Sequence, residues 1–107
     1  MSGDRAHGRE RLDEIAPDLL AKPDVAFGRM FSSDGLSVRG KIFAFAANDG
    51  SLVVKLPAER VHELGLDNMV MGGRTMREWA KVPFADGIER WRAVVDDAYA
   101  FVDSITP

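Results

Sequence analysis

The stretch Phe27–Lys55, FGRMFSSDGLSVRGKIFAFAANDGSLVVK, constrains this chain more than any other. Short apolar runs alternate there with turn-forming residues at intervals too brief for a helix of ordinary length. Alternation of Val25, Phe27, Arg29 and Phe31 against Ala26, Gly28 and Met30 has the period of two of a strand. Ser32-Ser33-Asp34-Gly35 reads as a turn, Leu36–Val38 as a short strand, and Gly40 as the next turn. Lys41–Ala47 is apolar on both faces, the pattern of a central strand. Asn48-Asp49-Gly50 tolerates the positive φ of a tight hairpin, after which Leu52–Leu56 returns antiparallel.

The flanking segments supply helices. Leu12, Ile15, Leu19 and Leu20 lie on one side of a helix beginning near Glu10. Pro17 falls inside it and predicts a kink or a restart. Residues 1–8 carry two glycines and no apolar period and are expected to be a frayed, disordered tail. Lys22-Pro23-Asp24 stops the element, because the residue before proline is pushed out of the helical region. Pro57 suits the first turn of a short helix over Ala58–Leu64, capped by Gly65. Asn68–Met71 and Thr75–Val82 read as two further strands joined by Gly72-Gly73. Asp86 is expected to cap a last helix over Gly87–Ser104, in which Ile88, Trp91, Val95, Ala98, Val102 and Ile105 recur at spacings of three and four. The sum is helix, three to four strands, helix, two strands, helix. This is an α+β domain of two layers, a mainly antiparallel sheet with helices on one face.

With 107 residues the chain is one domain able to bury roughly 60–68% of its unfolded surface. It has no cysteine, which excludes disulfides, thiolate metal sites and cysteine nucleophiles and fits a reducing compartment. The polar N-terminal stretch lacks the apolar core of a secretory signal. Ile42–Ala47, the longest apolar run, is too short to cross a bilayer. A cytoplasmic location with no membrane association is the expectation. The net charge of −3 is distributed unevenly: residues 1–24 hold four basic and six acidic groups, residues 25–83 eight and six, and residues 84–107 two and five. The strand-rich middle is therefore mildly basic between acidic helices.

Familiar motifs are approached and missed. Gly35–Lys41 fits the start of a phosphate-binding loop, but Ile42 stands where Ser or Thr must hold magnesium, and a strand follows where a helix is required. His62-Glu63 opens a zinc motif whose second histidine would fall at Leu66. Ser37 has no base, and Asp96-Asp97 point about 100° apart on a helix. No cofactor, metal or catalytic set is expected, and the chain reads as a non-enzyme. One positive pattern survives. Arg77, Trp79 and Lys81 share a strand face, an arrangement that can stack a base on the indole and hold phosphate with the cations. Arg29, Arg39, Lys41 and Arg74 complete a candidate nucleic-acid face. Met30, Met69, Met71 and Met76 suit an adaptable core or groove.

Arg29-Met30-Phe31, Gly35, Gly40-Lys41-Ile42-Phe43-Ala44, Asp49-Gly50, Leu52, Lys55, Met76, Trp79 and Val82-Pro83 together resemble the N-terminal domain of TfoX/Sxy-type proteins, with Ser32-Ser33 in place of that family's glycines. Asp96-Asp97-Ala98-Tyr99 and Val102 are similar to the related MmcQ/YjbR proteins. The likeness spans residues 10–104. It implies an α-β(3)-α-β(2)-α domain similar to secretion-chaperone-like folds, a regulatory role linked to transcription, and no catalytic residues. The functional expectation is a protein–protein interaction module, homodimeric through a sheet face or edge, with DNA binding through the seven-residue basic face as the alternative.

Overall fold

The computed structural model describes residues 2–30, 33–47 and 49–107, without the side chains of residues 2–5, 29, 30, 33, 34 and 71. In chain order the elements are α1 (Ser2–Leu20), β1 (Val25–Met30), β2 (Ser33–Val38), β3 (Lys41–Ala46), β4 (Leu52–Lys55), α2 (Ala58–Glu63), β5 (Asp67–Met71), β6 (Arg74–Val82), a single 3₁₀ turn (Phe84–Asp86) and α3 (Ile88–Ile105). Four strands thus precede α2, one more than in the compact α-β(3)-α-β(2)-α order. All six form one antiparallel sheet, ordered β1-β2-β3-β4-β6-β5. The fold is α+β, as its alternating strands and flanking helices require.

Two of the turns follow directly from local chemistry. Arg39 and Gly40 both have positive φ (48° and 84°), and Val38 pairs with Lys41, so a two-residue hairpin of the kind that matches strand twist joins β2 to β3. The Gly35–Lys41 resemblance to a phosphate loop ends there. Gly72 and Gly73, at 59° and 79°, perform the same service between Met71 and Arg74.

Val25, Leu36, Val38, Ala44, Ala46, Leu52, Val54, Ala80 and Val82 line one sheet face and meet Leu12, Ile15 and Leu19 of α1, Val61 of α2, and Trp91, Val94, Val95, Ala98 and Val102 of α3 in one core. Between β2 and β3 the register slips: Ser37 pairs with Ile42, yet Leu36 pairs with Ala44. Phe43 is the extra residue of a bulge. It is fully buried and meets the Tyr99 ring edge-on at 5.7 Å.

Several sequence expectations are corrected. α1 begins at Ser2, not near Glu10, and continues through Pro17 without restarting. The stretch taken for a frayed tail contains Gly8, which is buried against the backbone of Gly50 in the β3–β4 turn. Ser33, Asp34 and Gly35 belong to β2 rather than to a turn. Gly35 pairs with Gly28, and a Cβ on it would stand 3.1 Å from the Ala44 carbonyl oxygen. The glycine is there for close packing. The expected turn position Ser32, the strand end Phe31 and the hairpin residue Asn48 lie outside the described residues. Asp86 does not cap α3. Gly87 occupies that position at φ 92°, and Asp86 faces Arg90 at 3.4 Å instead. Ile105, expected inside, is 57% exposed.

Candidate functional site

The sheet face turned away from α1 and α3 carries aromatic and basic side chains singled out by strand periodicity. Its organising residue is Trp79. The β4–β6 ladder sets Lys55 opposite Trp79 and Val53 opposite Lys81, while Phe45 of β3 lies opposite Val53. The Phe45 and Trp79 rings approach to 5.8 Å at 58°, bridging over Val53, which is fully buried. The Lys55 ammonium sits 5.3 Å from the centre of the Trp79 ring, within cation–π range, and 4.0 Å from Glu78. Trp79 itself is half-buried.

Two hollows open beside the indole. One, of about 360 Å³, is lined by Lys41, Ile42, Lys55, Trp79 and the end of α3 from Val102 to Pro107. The other, shallower, is bounded by Lys55, Ala58, Trp79 and the β6 residues Arg74–Glu78. Lys55 and Trp79 belong to both.

The seven predicted residues are thus divided. Lys41 lines one hollow beside Trp79, and Arg74 and Arg77 line the other. Lys81 shares the face, but its ammonium is 2.6 Å from the Asp49 carboxylate. That contact, with the Ser51 hydroxyl and N–H donated to the same group, holds Asp49 well below the usual carboxylate range. Arg39 does not join the cluster. Its guanidinium donates to the carbonyls of Asp103 (3.0 Å), Thr106 (2.6 Å) and Pro107 (3.2 Å) and pairs with the Asp103 carboxylate at 2.9 Å. It neutralises the negative end of α3. The side chain of Arg29 lies outside the described residues. Lys55, absent from the predicted set, is central; its place opposite Trp79 was readable only once strand register was known.

Other residues weighed from sequence have structural roles. Ser37 is buried and donates to the Ala26 carbonyl across the β1–β2 ladder at 3.1 Å. Asp97 binds Arg60 at 3.0 Å and raises its pKa. His62 is exposed. Among the described residues no group of three or more His, Asp or Glu converges as a metal site would require, and no helix is long and apolar enough to cross a membrane.

A second surface has no counterpart in the predicted set. The β5–β6 hairpin touches α2 but is open to solvent along its length: of residues 67–79 whose exposure is described, none is buried. β5 is the outer strand, bonded only to β6. Val70 is 60% exposed, and Met69 and Met76, paired across the hairpin, are half-buried.

No family model matches the chain, and neither a curated protein nor a solved structure does.

Proposed function

We propose that this chain is a non-enzymatic, cytoplasmic regulatory module of TfoX N-terminal type that works by protein–protein contact, pairing the outer edge of β5 with an extended strand of its partner. A second copy of the chain is the first partner. The observation that carries this reading is the exposed β5–β6 hairpin, with Val70 60% exposed on an outer strand. An outer strand offers a row of backbone donors and acceptors, and proteins that must remain monomeric blunt such edges with charge, proline or a covering segment. β5 carries only Asp67 at its start. A five-residue edge buries less than the roughly 1,000 Å² of a stable interface, so association is expected in the high micromolar range. Sedimentation across that range should give a dimer for the wild type and a monomer for Val70→Lys with unchanged circular dichroism. A wild type that stays monomeric throughout would remove the homodimer from the proposal.

A second reading, DNA binding, is favoured by the placement of Lys41, Arg74 and Arg77 around Trp79. It has fewer free cations than the sequence suggested, since Arg39 and Lys81 are engaged within the fold. Binding would fall steeply with salt. A titration of duplex and single-stranded DNA at about 50 mM salt that shows no complex would exclude it.

A further inference from the structure

We propose that the hollow of about 360 Å³ between Trp79 and the end of α3 is a binding site for a small amphipathic anion. The ligand has an apolar, preferably flat body and a single acidic head. This goes beyond strand pairing at β5 and rests on different residues.

The floor and the head site are chemically distinct. Ile42, Trp79, Val102 and Ile105 give the hollow an apolar floor. Ile105 is 57% exposed at the end of an otherwise well-buried helical stripe, and a ligand body lying across it would complete the stripe. Trp91, the other indole, is fully enclosed and donates its N–H to the Pro83 carbonyl. Trp79 is half-buried, and its N–H has no acceptor among the described residues. One indole is built into the core, and the other lines the hollow with its N–H not engaged by any described residue.

Lys41 and Lys55 supply the charge. Among the described residues Lys41 forms no ion pair, and Lys55 has only the loose 4.0 Å approach to Glu78. The C-terminal end of a helix would ordinarily repel an anion. Here Arg39 occupies the carbonyls of Asp103, Thr106 and Pro107 and binds the Asp103 carboxylate. Arg39 thus offsets the Asp103 carboxylate and occupies the last carbonyls, which lowers the repulsion an anion would meet beside Lys41 and Lys55. Volume, an apolar lining and two bordering lysines are the makings of a small-molecule site.

The test uses the full chain labelled with ¹⁵N, 2-naphthoate as probe and 2-naphthalenemethanol as its neutral counterpart. Naphthoate should give saturable shifts at the Trp79 indole N–H and at the amides of Ile42, Lys55, Val102 and Ile105. Two partly exposed ion pairs are together worth about tenfold in affinity, so the neutral probe, and naphthoate with the Lys41→Gln/Lys55→Gln variant, should each bind about tenfold more weakly. Lys41→Arg/Lys55→Arg should restore most of the loss. Equal binding of the neutral probe, unsaturable shifts, or shifts centred away from Trp79 would overturn the proposal. So would oligothymidylate displacing naphthoate with shifts extending to Arg74 and Arg77, which would give the hollow to nucleic acid.

Discussion

Gly8→Ala separates two accounts of the N-terminal helix by the sign of its effect. Residue 8 lies inside α1. In a helix that packs against nothing, alanine is favoured over glycine by about 0.5–1 kcal/mol. The structure predicts the reverse. A Cβ on Gly8 would stand 2.6 Å from the Gly50 carbonyl oxygen and 2.9 Å from its carbonyl carbon. These are backbone atoms and cannot swing aside as a side-chain tip can. Gly50 is itself fixed, at φ 85° in a turn closed by its N–H to the Ala47 carbonyl. Relieving the overlap means lifting α1 or distorting the β3–β4 turn. Overpacking of this kind costs about 1–3 kcal/mol. Net of the propensity gain, Gly8→Ala should destabilise the fold by about 1–2 kcal/mol, a fall in Tm of about 5–10 °C for a domain of this size. Urea and thermal unfolding followed by circular dichroism measure it, with Glu10→Ala on the exposed side of the same helix expected within about 0.5 kcal/mol of wild type. A Gly8→Ala protein as stable as wild type, or more so, would show that the first turns of α1 do not dock on the sheet.

Three further perturbations probe other joints of the molecule. Trp91→Phe keeps the edge-on contact with Phe84 at 5.9 Å but removes the donor to Pro83 and leaves space in the core; chemical denaturation should show a loss of about 2–3 kcal/mol. Arg39→Gln releases the end of α3 from its four contacts, costing about 1 kcal/mol at this partly exposed site, with faster amide hydrogen exchange confined to residues 103–106. Asp49→Asn tests the pH dependence. Because Lys81 and Ser51 depress the folded-state pKa, their stabilisation is present above the ordinary carboxylate range near pH 4 and is lost as pH falls through the folded value. Wild type should therefore exceed Asp49→Asn by less than about 1 kcal/mol, a constant margin from pH 5 to 8 that closes below about pH 4; thermal melts against pH would refute this by showing a margin that grows on acidification.

What the sequence disclosed was local. Gly40 and Gly72-Gly73 mark turns because only a residue free of a Cβ sits comfortably at positive φ. α3 was visible because its apolar residues keep helical spacing over 18 residues. Gly35 and Gly8 misled for a common reason: each looks like a breaker, and each is required by a neighbour close in space and distant in sequence. The candidate site divides in the same way. Period two placed Trp79 with Arg77 and Lys81, but nothing local could show that Arg39 would turn to carbonyls 64–68 residues further on, or that Lys81 would meet Asp49, 32 residues before it.

The order β1-β2-β3-β4-β6-β5 also implies a sequence of assembly. The first three ladders join strands consecutive in sequence and cost little loop entropy to close, whereas β4 must wait for β6, whose paired residues lie 24–30 positions further along. Closing a longer loop raises the barrier only slowly with length, but the contacts that reward it arrive late. The β1–β4 meander should therefore be formed in the folding transition state, and the β4–β6 seam should join last. Under mechanical or thermal stress that seam is where the sheet would part first, carrying β5, β6 and the Trp79 side of the hollow away from Phe45 as one piece.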